Sequence, residues 1–247
     1  MKRRLLFLSV SASALCLLAV VVVTVSRNHS TDPRNVVVAT EPAKEATGPP
    51  FFREVTADSG IHFTYENGEK AENFAILESL GGGIGLLDYN GDGLLDIFIP
   101  GGGYFAGDNK HDIRGRPCKL YKNLGNYQFK DVTKEVGLED FPWFYSHGVA
   151  IGDYDRDGWP DILLTGWGRV ALFHNEPVDP NDPAKGRKFV DVTEKAGLTD
   201  ITWATSAGWA DFDGDGFPDL YICQYVDWSF EKNHPTDCMY DGTSRDV

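Results

Sequence analysis

One acidic nonapeptide, Asp-x-Asp/Asn-x-Asp-Gly-x-x-Asp, occurs three times in this chain and constrains its fold more than any other feature. The copies begin at Asp88, Asp153 and Asp211, 65 and 58 residues apart. Repetition at such a spacing marks an array of similar supersecondary units. Two further elements recur with the loops. Phe-x-x-Val-Thr stands at Phe52–Thr56, Phe129–Thr133 and Phe189–Thr193, each followed by Gly and Ile or Leu. Leu-aromatic-x-Asn stands at Leu120–Asn123 and Leu172–Asn175. The unit is therefore roughly 60 residues long.

The loops are flanked by short apolar runs. Before them stand Ile84–Leu87, Val149–Gly152 and Ala207–Ala210; after them stand Ile97–Ile99, Ile162–Leu164 and Leu220–Ile222. Runs this short, bounded by Gly and Asp, suit strands better than helices. The two other elements supply two more strands per unit. Four short antiparallel strands make a β-propeller blade. The expectation is an all-β protein of about three such blades in an incomplete ring, preceded by one N-terminal apolar helix. Propellers close with roughly four to eight blades, so further repeats beyond residue 247 are expected.

Each loop offers side-chain oxygens at positions 1, 3, 5 and 9 and a backbone carbonyl at position 7. The candidate ligands are Asp88, Asn90, Asp92, Leu94 and Asp96 in the first loop. They are Asp153, Asp155, Asp157, Trp159 and Asp161 in the second, and Asp211, Asp213, Asp215, Phe217 and Asp219 in the third. Oxygen-only donor sets suit Ca²⁺, which takes six to eight of them, rather than zinc or copper. The loops hold eleven Asp residues. Two carboxylates about 5 Å apart repel by about 3 kcal/mol at an effective dielectric near 20. A divalent ion removes that repulsion, and about three Ca²⁺ ions are expected. Gly93, Gly158 and Gly216 at position 6 permit the sharp turn. Asn90 lowers the charge of the first loop; Arg156, at position 4 of the second, is expected to point outward. An EF-hand needs Glu at position 12 between two helices; Ile99, Leu164 and Ile222 stand there.

The net charge of −14 argues against nucleic acid as a partner. No Gly-x-Ser-x-Gly, His-Glu-x-x-His or P-loop motif is present. The histidines, His174 among them, are scattered and read as structural or exposed. The aromatic segment Phe141–Tyr145 is a candidate lining for a binding face. Lys2, Arg3 and Arg4 precede an apolar run from Leu5 to Val25. That pattern makes residues 1–25 a signal peptide or signal anchor, the run being long enough to span a bilayer. Residues 26–50 read as a flexible linker, and 51–247 as the repeats. The chain is then extracytoplasmic: periplasmic, cell-surface or secreted. Cys118, Cys223 and Cys238 leave an odd number of exported thiols.

Taken together, the loops and the two intervening motifs resemble the FG-GAP/VCBS repeats of integrin-α-like propellers. The combination is closer still to proteins similar to cartilage acidic protein, of the ASPIC/UnbV family. In that family a His-x-x-x-x-Asn-Gly segment and a Glu-x-x-Gly-Gly-Gly entry precede the first loop; here they are His62 to Gly68 and Glu78 to Gly83. The resemblance implies calcium ligands at positions 1, 3, 5 and 9, and a cysteine beyond this chain as a partner for Cys238. It fits a non-catalytic module that binds an extracellular protein or a glycan. The alternative is a calcium-stabilised propeller enzyme, a polysaccharide lyase or hydrolase.

Overall fold

A computed structural model describes residues 51–232 and the backbone of two further strands, 237–240 and 243–246. The apolar segment 1–25, the linker and the side chain of Cys238 lie outside the described residues. The first repeat contains β1 (Glu66–Asn67), β2 (Gly85–Leu87), β3 (Asp96–Ile99), β4 (Gly102–Ala106), β5 (Asp112–Gly115), β6 (Lys119–Asn123) and β7 (Phe129–Asp131). The second contains β8 (Ser146–Gly152), β9 (Asp161–Gly166), β10 (Val170–Pro177) and β11 (Arg187–Asp191). The third contains β12 (Ala204–Ala210) and β13 (Asp219–Gln224). A last hairpin pairs β14 (Asp237–Tyr240) with β15 (Thr243–Asp246).

Two repeats form complete four-stranded antiparallel blades, in the orders β2-β3-β6-β7 and β8-β9-β10-β11. The third shows the β12-β13 pair among the described residues. Every acidic loop is the hairpin connection between the first two strands of its blade. The all-β, blade-by-blade architecture is the one the repeats imply.

The blades pack face to face. β9 is buried along its whole length, and its alternation serves two cores, because successive side chains point to opposite faces. Ile162 and Leu164 join Leu87, Phe98, Leu120 and Phe173 on one side. Leu163 joins Ala150, Val170, Leu172 and Ala204 on the other. The first strands of the blades approach closely through glycine. A Cβ on Gly148 would lie 2.5 Å from the carbonyl oxygen of Thr205, so no larger residue fits that seam. Phe141, Trp143 and Phe144 pack on the first core and Tyr145 is buried. Phe141, Trp143 and Phe144 stay partly exposed while they pack on that core, the Phe173 ring meeting Phe141 edge-on at 4.8 Å.

The recurrent Thr of Phe-x-x-Val-Thr closes each blade. Thr133 Oγ1 accepts from the Leu120 amide at 3.0 Å and donates to Asp131 at 2.6 Å. Thr193 does the same for Leu172 and Asp191. The first copy of this motif departs from expectation: residues 52–55 form no strand, and Thr56–Ser59 make one helical turn ended by Gly60 at φ 82°. β7 and β11 are strands because each pairs with β6 or β10; no such partner lies beside the first copy among the described residues.

A second departure is an insertion in the first blade. β4 and β5 form a hairpin between β3 and β6, and β1 adds to β4 in parallel. Tyr145 pins this small sheet to the blades, its hydroxyl lying 2.6 Å from Asn67 O and 3.1 Å from Leu77 O. Deeper, His147 is buried between Trp203 and Tyr65. The Trp203 indole N–H donates to His147 Nε2 at 3.1 Å, and the Tyr65 hydroxyl lies 3.4 Å from Nδ1. Cys118 is a buried free thiol and Cys223 an exposed one.

Candidate metal centre

The three loops share one hydrogen-bond pattern. The position-1 carboxylate gathers the loop amides: Asp88 accepts from Gly91 at 2.8 Å and Gly93 at 2.8 Å. Asp153 accepts from Asp157 and Gly158, both at 3.0 Å, and Asp211 from Gly214 at 2.7 Å and Gly216 at 2.9 Å. Position 3 accepts from the amide of position 5 through Asn90, Asp155 and Asp213. Position 5 accepts from the amide of position 7: Asp92 from Leu94, Asp157 from Trp159, Asp215 from Phe217. Each side chain accepts from one to three loop amides, Asp88 also taking the Asp92 amide at 3.1 Å, and a carboxylate with about four acceptor sites keeps at least one for a cation.

Position 9 is different. Asp96 and Asp161 are fully buried. Asp161 Oδ1 accepts from the Asn175 amide at 2.8 Å and Oδ2 from Tyr154 at 3.1 Å; Asp96 is held likewise by Asn123 at 2.7 Å and Tyr89 at 3.1 Å. Asp219 is half-buried and accepts from Phe212 at 2.8 Å. Burial pushes the Asp161 carboxyl up to about 6, against the amide bonds that oppose it. Burial raises Asp96 as well. An anion that two amides leave so poorly compensated is one a nearby cation would stabilise.

Carboxylate oxygens of Asp153, Asp155 and Asp161 lie within 4.8 Å of one another, as do those of Asp211, Asp213 and Asp219. In the first loop Asn90 replaces one carboxylate. There burial is the largest single influence on Asp92 and raises it, but the Leu94 amide, the Asn90 side-chain amide and the Lys122 ammonium together outweigh it and hold its carboxyl below the ordinary value. Lys122 Nζ stands 3.1 Å from Asp92. The sites therefore differ in charge, the first being partly neutralised by its own chain. The donors are hard oxygens, an inventory that fits Ca²⁺.

Several participants escaped the sequence reading. Asn123 and Asn175, the recurrent Asn of Leu-aromatic-x-Asn, bind loop carbonyls through their side chains, at Leu95 O (2.9 Å) and Pro160 O (3.2 Å). The residue before each Asn, Lys122 or His174, faces the acidic loop. Position 4 is left-handed in all three loops, at Gly91, Arg156 and Gly214; glycine at two of the three was the available signal. Arg156 does turn away from its own carboxylates, and its guanidinium lies 4.9 Å above the Phe217 ring of the third loop. Trp159 likewise reaches the first loop, 3.0 Å from where a Gly91 Cβ would sit. Arg187 covers the Trp159 ring at 3.9 Å and donates to Asn175 Oδ1 at 2.9 Å.

The chain is 28% identical to integrin alpha-6 of Gallus gallus over 159 residues, covering 61% of this chain and 14% of that protein. It is 30% identical to cartilage acidic protein 1 of Xenopus tropicalis over 162 residues, covering 63% and 24% respectively. Integrin alpha-PS2 of Drosophila melanogaster is 28% identical over 163 residues, 61% of this chain and 12% of that one. The chain thus spans less than a quarter of the length of these relatives. A profile described as FG-GAP-like repeat matches residues 88–164 and 153–222, more than half of the chain and all three loops. With the loops, the blades and this match in agreement, the chain belongs to the FG-GAP-like repeat family.

Proposed function

We propose that each of the three loops binds a calcium ion, and that the chain is part of an extracytoplasmic, non-catalytic propeller module that binds a protein or a glycan. The observation that carries the reading is the shared amide pattern, which holds carboxylates at positions 1, 3 and 9 of the second and third loops around one point. Asp153, Asp155, Asp157 and Asp161 would hold one ion, with the Trp159 carbonyl. Asp211, Asp213, Asp215 and Asp219 would hold another, with the Phe217 carbonyl. Asp88, Asn90, Asp92 and Asp96, with the Leu94 carbonyl, form the weakest set. The ion supplies charge compensation and stiffens the hairpin that joins two strands of a blade. The names of the relatives, integrin alpha chains and cartilage acidic protein, support a binding role outside the cell.

The test is removal and return of the metal. A site at one hundred times its Kd adds about 2.7 kcal/mol to native stability, so EGTA is expected to lower the melting temperature and calcium to restore it. Calcium stoichiometry should fall by about one ion in Asp215→Ala. A melting curve indifferent to verified metal removal would refute the reading. Screening the calcium-loaded chain on glycan and protein arrays addresses the partner.

A further inference from the structure

We propose that the second loop also carries a nitrogen-containing site, formed by Asp155, Asp157 and His174, that takes a divalent first-row transition ion such as Zn²⁺ or Co²⁺. His174 lies on β10, in the variable position of Leu-aromatic-x-Asn, and the antiparallel register carries it to the mouth of the loop. Its Nε2 is 3.1 Å from Asp155 Oδ2 and 3.6 Å from Asp157 Oδ2. Yet this nitrogen is buried and makes no hydrogen bond. The two oxygens stand close beside it but off the line along which a ring N–H would donate. Ligands of one ion have that arrangement, since each points its lone pair at the metal and not at its neighbours. With bonds of about 2.0–2.1 Å, adjacent ligands of a tetrahedral or octahedral ion lie about 3 to 3.4 Å apart, near the two separations found here.

The opposite face of the ring completes the case. Glu176 Oε1 lies 3.5 Å from His174 Nδ1. The negative charge on that side favours, through space, the tautomer with the proton on Nδ1, the one that leaves Nε2 free to ligate. Tyr154 packs edge-on against the ring at 5.6 Å and limits its rotation. A nitrogen donor changes selectivity: imidazole suits zinc, cobalt and nickel, whereas carboxylates alone suit calcium. The first loop has lost this option, because Lys122 places an ammonium at the corresponding position, 3.1 Å from Asp92. Asp155 belongs both to this set and to the oxygen set with Asp153 and Asp161, so the two ions compete for the second loop. The inference uses the side chains around His174 and does not need calcium to bind elsewhere.

The experiment titrates the full-length, chelator-stripped chain with Co²⁺ and Zn²⁺, following cobalt absorption and calorimetric heat. One Co²⁺ per chain is expected, with shifted proton resonances from a single imidazole. His174→Gln should weaken Zn²⁺ at least about tenfold and abolish those resonances, while Ca²⁺ titrations change little. Lys122→His should raise Co²⁺ stoichiometry toward two, which keeps the test open if the first variant misfolds. Equal Zn²⁺ affinity in wild type and a well-folded His174→Gln, or cobalt spectra without an imidazole ligand, would overturn the site and leave an ordinary His–Asp ion pair. Absence of calcium binding alongside intact Zn²⁺ binding would overturn the calcium reading alone.

Discussion

Buried His147 predicts a defined acid sensitivity. The indole N–H of Trp203 is a donor only, so the Nε2 it meets at 3.1 Å must accept. The neutral ring then carries its proton on Nδ1, toward the Tyr65 oxygen. Burial depresses this histidine to about 4, from an ordinary value of 6.5. The folded state resists a proton that the unfolded chain accepts readily. His147 therefore costs nothing above about pH 6.5, and stability is lost as pH falls from there to about 4, where the loss levels off. At about 1.4 kcal/mol per pH unit the full loss is about 3 kcal/mol. Asp161 titrates in an overlapping window with the opposite sign, so raw melting curves are a poor readout. The assay is urea unfolding of wild type and His147→Gln from pH 7.5 to 4, with the difference between them plotted against pH. Gln has an acceptor for Trp203 and no titration. The wild-type advantage should shrink by about 3 kcal/mol across the window; a difference independent of pH would refute the argument.

Asp161, raised to about 6, supplies stability that is complete below about pH 4 and lost as pH rises through 6. In EGTA the wild type should therefore gain on Asp161→Asn as pH falls from 7 to 4, and saturating calcium should erase that slope, both read from chemical denaturation. Phe173→Ala removes a fully packed ring that meets Phe141 and Trp143, and should cost about 3–5 kcal/mol in urea. Tyr145→Phe leaves the Asn67 and Leu77 carbonyls without its hydroxyl, a loss of about 1–3 kcal/mol in the same measurement. Arg187→Lys should not rescue the stability lost in Arg187→Ala, because an ammonium cannot both cover the Trp159 ring and fork onto Asn175; equal melting temperatures for the Arg187→Lys variant and wild type would contradict this.

The sequence was most legible where it repeats. Loop, flanking strands and the two intervening motifs announce themselves because each blade needs the same hairpin, the same Asn against the loop carbonyls and the same Thr–Asp closure. Among the described residues the β1-β4-β5 sheet occurs once, and one of its pairings is parallel, so no second copy was there to reveal it. The strand expected at Phe52–Thr56 failed for a related reason: pairing makes a strand, and a motif carries no information about whether its partner is beside it. At the loops, the acidic residue types and their spacing were readable, but the two side chains that stand against the carboxylates were not. Lys122 and His174 occupy the one variable position of their motif, and only the strand register brings them to the carboxylates.

The contact between successive loops is directional. Position 7 of one loop rests on position 4 of the loop before it, as Trp159 does on Gly91 and Phe217 does beneath Arg156. Such an association is heterologous, joining two unlike patches, and it closes into a ring only when the rotation between neighbours permits. The row of loops consequently has a head and a tail. In the first loop the exposed Leu94 side chain presents position 7. In the third loop Gly214 presents position 4 with no neighbour within 4 Å among the described residues. Any additional loop of this type that repeats the position-7 to position-4 contact would therefore meet the row in a single orientation.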